Sequence, residues 1–385
     1  MAGSFDYNSS STVYIVKHSI IMVLPVLMLF CPVRIQAQTY NPNILPLGDK
    51  ESLMANTGTG GLGSVGAVYY NPAALTEVEG NSLSLSGSAY LQFRFSAKPV
   101  ASFFGTDLNY EGTGYQSIPT SVIYARPVKN WHLAYSILIP MAFNFEGTTT
   151  WNIPVENSHL KLKMLQNYDE SVFMGGITAA RTIGKSWSVG ISLYGQSYSY
   201  LSTIDLRGSI VENPGMILQT TDRRTLNPVN LLVIGGIHKK LGDLSLGLRL
   251  QAPSVYITGK GSYYDYSYNN FGGTTNIETS ETEIESVTGY FKTPADIRLG
   301  TTYRPTGRWL LAVDAAYRFS LAYDIYNSDE LTVRENLKGN YRINAGTEYR
   351  WSEKINLYAG ASYTPTTKKE TDGDFGEDYR SVFTG

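Results

Sequence analysis

Gly61-Leu62-Gly63-Ser64-Val65-Gly66 has the G-x-G-x-x-G spacing of a loop that holds a dinucleotide pyrophosphate on backbone N–H groups. That chemistry needs a buried strand before the glycines and a helix opening after them, its N-terminus aimed at the phosphates. Neither flank complies. Upstream stands the polar KESLMANTGTG, and Pro72 arrives before a helix starting near Gly66 can complete two turns. About twenty residues further on, where an acid should meet the ribose, the chain reads NSLSLSGS. The other chemistry-bearing residues are scattered. His18, His132, His159 and His238 fall in separate segments, so none is set beside a nucleophile or a second metal ligand. The single cysteine, Cys31, lies in a segment expected to be removed, which leaves no disulfide, thiolate metal site or thiol nucleophile in the mature chain. These residues argue against an enzyme and against a resident cofactor or metal, and a net charge of -2 argues against a nucleic-acid partner.

The glycines therefore need a structural use, and the elements around them suggest one. Residues 1–37 read as a secretory signal: Lys17 supplies positive charge, SIIMVLPVLMLF is the apolar core, and Ile35-Gln36-Ala37 precedes a cleavage point at Gln38. A retained N-terminal anchor is the alternative, and the long stretch before Lys17 leaves the start codon open. Attachment of lipid through Cys31 is disfavoured by bulky Phe30 before it. No later segment has the 18 apolar residues of a membrane helix.

From residue 81 onward the chain alternates. In LSLSGSAYLQFRF, Leu83, Leu85, Gly87, Ala89, Leu91, Phe93 and Phe95 face one way, and Ser84, Ser86, Ser88, Tyr90, Gln92 and Arg94 the other. Leu244, Leu246, Leu248 and Leu250 repeat the pattern, as do Trp309, Leu311, Val313 and Tyr317, and then Tyr341, Ile343, Ala345 and Tyr349. About twelve such segments are readable, several near the ~10 residues of a tilted membrane strand. A soluble sandwich also alternates, so the connections decide. RPVKNW, IGKSW, KKLGD, RPTGRW and RWSEK are short, and between them come long polar stretches at 97–116, 147–169, 204–227, 265–284 and 321–339. Short turns on one side and long loops on the other mark an outer-membrane barrel with its short turns in the periplasm. Trp131, Trp187, Trp309 and Trp351 stand at or beside those short turns, where an indole rests at headgroup level. The expected fold is all-β: a transmembrane antiparallel β-barrel in a bacterial outer membrane.

The chain resembles the FadL/TodX family of outer-membrane transporters for hydrophobic compounds. The resemblance rests on the glycine-rich segment ending in YYNPAAL, on LAYSILIPMAFNFEGTTTW, on TPADIRLGTTYRPTGRWLLAVDAAY and on YRINAGTEYRWSEKINLYAGASYTPT. It implies about fourteen strands. With about twelve readable, either the last strands are missing after residue 385 or two are merged within the tyrosine-rich region 255–300. It also implies that residues 38–80 form a hatch inside the lumen of a barrel spanning 81–385, with Asn71, Pro72 and Ala73 at the family's asparagine-proline-alanine positions. Gly61, Gly63 and Gly66, with Gly58 and Gly60, then serve a compact non-helical backbone that needs positive φ and close approach. A flexible linker to the first strand is the plainer alternative.

In that family, hydrophobic cargo leaves sideways through a gap made by a kink in the third strand. Pro140 falls inside the third alternating segment, where it cannot donate to the ladder, and is the candidate kink, with Leu138, Met141, Phe143 and Phe145 near the opening. Tyr194, Tyr198 and Tyr200 face the expected lumen on the fifth strand and either line a path or only fill the lumen. Arg94, Arg249, Arg298, Arg318, Arg342 and Arg350 are also expected inward, to meet a carboxylate headgroup or to pair with Asp296, Asp314 and Glu348. The implied activity is passive uptake of long-chain fatty acids or other hydrophobic compounds by a monomer in contact with outer-membrane lipid. The alternative is a PorV-type partner in protein secretion, which shares the hatch and barrel; the MAFNFEGTTTW continuation favours transport.

Overall fold

The structure is a computed structural model that describes residues 45–103, 106–155, 158–211, 215, 217–270, 277–327, 332–365 and 380–384. The expected signal, the first residues of the expected hatch and the side chain of Arg94 lie outside what it describes.

The chain builds a curled antiparallel sheet. Its first six strands are long: β1 (Ser82–Phe103), β2 (Thr106–Val128), β3 (Trp131–Val155), β4 (Ser158–Ile183), β5 (Trp187–Ile210) and β6 (Ile217–Leu241). Shorter ones follow: β7 (Leu244–Gln251), β8 (Val255–Asn269), β9 (Glu278–Thr288), β10 (Asp296–Thr306), β11 (Trp309–Arg318), β12 (Leu321–Asn327), β13 (Thr332–Leu337), β14 (Asn340–Arg350), β15 (Asn356–Pro365) and β16 (Arg380–Thr384). Neighbours along the sheet run β1-β2-β3-β4-β5-β6-β7-β10-β11-β14-β15-β16, twelve strands, which matches the number of alternating segments in the sequence. β8 and β9 bring the sheet to fourteen, and β12 pairs only with β13. β6 pairs with β7 along Ile234–Leu241 and with β8 along Leu218–Leu231, so β8 continues the line of β7 after a break at residues 252–254.

The side chains are arranged inside out relative to a soluble protein. Leu85, Tyr135, Ile177, Ile191, Leu299, Val313 and Ile343 are exposed on the outer face, while Ser136, Thr178, Ser192, Ser245, Arg298, Asp314 and Asn344 are buried on the inner one. Lipid is the solvent that rewards this inversion, because sheet backbone satisfies its own polar groups and the apolar side chains meet hydrocarbon. No helix among the described residues is long and apolar enough to cross a membrane. At the short turns Trp131, Trp187 and Trp351 are exposed; the Lys239 ammonium sits 4.6 Å from the Trp187 ring and the Arg181 guanidinium 5.6 Å from that of Trp131.

Two expectations are corrected. The long polar connections are largely strand: β1 and β2 pair out to Phe103↔Thr106, β3 and β4 out to Val155↔Ser158, and β5 and β6 out to Ser209↔Ile217. Beyond the hydrocarbon the hairpins keep pairing and hold an apolar cluster of their own, in which Leu108, Ile153, Leu160 and Leu162 are buried. The glycine-rich segment is also not free of helix. It holds helical turns at Lys50–Leu53 and Ala67–Tyr70 and a 3₁₀ helix at Pro72–Glu77. Pro72 closes the second turn, as the sequence requires, and opens the next, where its missing N–H costs nothing.

Candidate functional site

Residues 45–78 are packed against the inner face of the sheet. Leu47, Val65, Val68, Tyr70, Ala74 and Leu75 share one apolar cluster with Ile123, Leu138, Met174, Tyr194 and Ile234 of the wall. Asn71 ties the segment together and to the wall at once: its Nδ2 donates to Thr59 O at 2.7 Å and to Ile237 O at 3.1 Å, and its Oδ1 accepts from Ala73 N at 3.2 Å. Gly61 and Gly63 have φ of 89° and 68°, the left-handed region that favours glycine. Gly66 has ordinary helical φ and is needed for space, since a Cβ there would collide with the Glu51 carboxylate.

The close approach is shared by the wall. Gly190 pairs with Gly236, Gly247 with Gly300, and Gly346 with Gly360 across neighbouring strands. A Cβ on each would strike segment backbone or side chain: Pro72 and Ala73 for Gly190, Asn71 for Gly236, Thr59 for Gly247 and Gly300, Met54 for Gly346 and Gly360. These six positions fall in the inward phase of the alternation, and that phase was the readable signal. A glycine inside a strand weakens it unless something approaches closely.

Inward charges hold the segment too. Asp314 Oδ2 accepts from Gly58 N at 3.0 Å, Thr59 N at 3.1 Å and Thr59 Oγ1 at 2.8 Å. Arg249 donates to Tyr69 O at 2.9 Å and to Gln251 Oε1 at 2.7 Å and pairs with Asp296. Asn344 Nδ2 donates to Ala55 O and Asn56 O at 2.9 and 3.0 Å, and Lys50 pairs with Glu348 at 2.9 Å. Arg298 stacks over Tyr70 and reaches Asn56 O, and Arg342 donates to Thr364 Oγ1 at 3.1 Å. Of the two roles open for the inward arginines, Arg249 and Arg298 serve packing and docking. Arg350 lies exposed at a short-turn end.

Glu51, outside the spanning strands, is buried, with its Oε1 accepting from Ser64 Oγ and no partner at Oε2 among the described residues. Burial, reinforced by the Asp49 carboxylate, pushes its carboxyl up from 4.5 to about 8. Between those values the packed segment holds a proton that a released one loses, so packing is strongest at acid pH and weakens as pH rises toward 8. Protease cleavage within residues 45–78 is expected to accelerate from pH 5 to pH 9, with Glu51→Gln flattening the profile. An equally steep profile in the variant rules the mechanism out.

Beside the packed segment is a cavity of about 120 Å³ lined by Met141, Tyr168, Glu170, Tyr198, Tyr200, Arg224, Leu226, residues 290–292, Pro294, Arg318 and side chains of the β12–β13 hairpin. Tyr168 and Tyr198 donate to the Glu170 carboxylate at 2.7 and 2.8 Å, which orients both rings. Tyr198 and Tyr200, expected on a path, line this cavity. Tyr194 does not: it is fully buried, with its hydroxyl donating to Val68 O at 2.8 Å. Phe143 packs edge-on against Tyr168 at 5.6 Å, and both pack against Phe145, which also meets Trp151 and Met164.

Pro140 lies at a discontinuity. The β3–β4 register shifts between Leu138↔Met174 and Met141↔Val172, a bulge that places Leu138, Pro140 and Met141 all on the buried side. On its other edge β3 pairs with β2 from Val128↔Trp131 to Ser121↔Leu138, and no pairing between them continues beyond that among the described residues. Extending that register by two residues sets Pro119 opposite Pro140, so neither strand has an N–H to offer there. Leu45 N donates to Pro140 O at 3.0 Å, bringing the start of the packed segment to the break. Pro119 escaped the sequence reading because only the register reveals the opposition.

No protein-family model matches the chain, and no curated protein does. Solved structures share its fold. The chain is similar to a FadL homologue of Pseudomonas aeruginosa at 14% identity and TM-score 0.59, covering 89% of this chain and 83% of that one. A deletion mutant of the monoaromatic hydrocarbon channel TodX gives 15% identity, TM-score 0.62 and 89% of both chains. The toluene transporter TbuX of Ralstonia pickettii gives 14%, 0.54, and 84% and 88%. The fold is of the FadL/TodX type.

Proposed function

We propose that this chain is a bacterial outer-membrane channel for the passive uptake of hydrophobic compounds, with residues 38–80 as its hatch and the β2–β3 break as its lateral exit. The observation that carries the reading is the aromatic cavity whose wall reaches the bulge of β3 through Met141. The fold shared with hydrocarbon channels and a FadL homologue supports it.

In this mechanism an apolar molecule enters from outside, sheds water against Tyr198, Tyr200 and Leu226, and leaves past Leu138, Pro140 and Met141 into the bilayer. Burial of its apolar surface, about 25 cal/mol per Å², drives entry, and the bilayer offers the same gain at exit, so neither ATP nor a chemical step is needed. A cavity near 150 Å³ accommodates benzene, so about 120 Å³ suits compact cargo better than an extended acyl chain. The protein acts as a monomer surrounded by lipid.

Purified barrel in detergent is expected to bind toluene saturably, with palmitate weaker, and to raise toluene uptake when expressed in cells. No binding of either compound, with a secreted protein co-purifying instead, sinks the transport reading in favour of the PorV-type one.

A further inference from the structure

Between β9 and β10 the chain leaves the sheet. Residues 289–295 form a strap tied down along its length: Tyr290 N donates to Ile325 O at 2.8 Å, Asn230 Nδ2 to Phe291 O at 2.9 Å, Ser254 N to Thr293 O at 3.0 Å, and Gln251 Nε2 to Pro294 O at 3.0 Å. A Cβ at Gly289 would collide with Leu226, so the strap enters as close to the wall as backbone allows. The Phe291 ring lies parallel to that of Tyr198 at 4.1 Å, and Tyr200 stacks at 6.4 Å from Tyr198. Phe291 thus takes one end of a stack of rings inside the cavity, in the position a flat cargo would otherwise occupy.

We propose that Phe291, held by this strap, sets the upper size of the cargo: it fills the room a second fused ring would need and leaves space for one. This rests on the channel reading of the same cavity. The strap is anchored at both ends and by side chains from β6 and β7, so the limit is fixed by the fold rather than by a moving lid. The strength of such a filter follows from its chemistry. A hydrophobic pocket that lacks room for extra carbon rejects it by steric conflict, and relieving the conflict changes affinity by tenfold or more.

The test uses the purified full chain in detergent, with toluene, naphthalene and palmitate as probes, and compares wild type, Phe291→Ala and Phe291→Leu. Phe291→Ala is expected to tighten naphthalene by about tenfold while toluene changes less. Phe291→Leu, which retains most of the volume without the ring, is expected to keep the wild-type size preference, and it guards against a folding defect in the alanine variant. Toluene binding by wild type with the naphthalene-to-toluene ratio unchanged in both variants overturns the size filter alone. Absence of binding for all three probes to wild type overturns the channel reading and the filter with it.

Discussion

Gly247→Val is expected to drive the N-terminal segment off the wall. The position leaves no room for side-chain atoms: a Cβ on Gly247 would lie within the contact distance of Thr59 O and Asn71 Nδ2, both backbone or hydrogen-bonded groups without freedom to swing away. Displacing Thr59 also breaks the three hydrogen bonds that Asp314 accepts from Gly58 and Thr59. Each buried hydrogen bond lost without replacement costs about 1–3 kcal/mol, and these losses add to the steric conflict at Thr59. The sheet itself keeps its ladder, since valine suits a strand. The barrel is therefore expected to remain folded, with heat-modifiable mobility on gels, while residues 54–75 gain protease sensitivity and the barrel leaks small polar solutes at least tenfold faster. Unchanged protection of the segment would show that the glycine is not a docking site.

Restoring two N–H groups is expected to close the lateral exit proposed at the β2–β3 break. In the double substitution Pro119→Thr with Pro140→Thr, both strands regain a donor where the register sets them opposite each other, and β2–β3 pairing can run on past Leu138. Each new ladder bond contributes about 0.5–1.5 kcal/mol, and pairing favours a straight strand over the bulge at Ile139–Pro140. Uptake of toluene in cells is expected to fall about tenfold or more, while binding to purified protein is retained because neither proline lines the cavity. Backbone amides near residues 116–121 should gain protection from hydrogen exchange. If uptake survives with that protection present, cargo leaves by another route. The single Pro140→Thr variant should show a smaller effect, since Pro119 still interrupts one side.

What was readable in the sequence follows from the period of two. Leu244, Leu246 and Leu250 against Ser245, Arg249 and Gln251 fix both the strand and its faces, because lipid and lumen lie on opposite sides of every residue pair. The short turns were readable too, with Trp131, Trp187 and Trp351 exposed beside them. The strap was not readable, since GYFKTPA has no period and its shape depends on Asn230, Gln251 and Ser254 from other strands. The wall glycines were visible only as gaps in the inward phase. Tyr194 looked like its neighbours Tyr198 and Tyr200, yet its height along β5 places it against Val68 rather than the cavity. Such heights depend on where the segment ends, which alternation does not encode.

The hydrogen bonds between the packed segment and the last strands also order events in time. Asn344 and Ala55 are 289 residues apart, and Lys50 and Glu348 are 298 apart. Contacts that span so much chain form late, because the intervening residues must be arranged first. Residues 50–60, made before any strand of the sheet, are thus among the last to find their place: they wait for β10, β11 and β14, and a barrel interrupted before those strands pair would leave them with most of their polar partners missing.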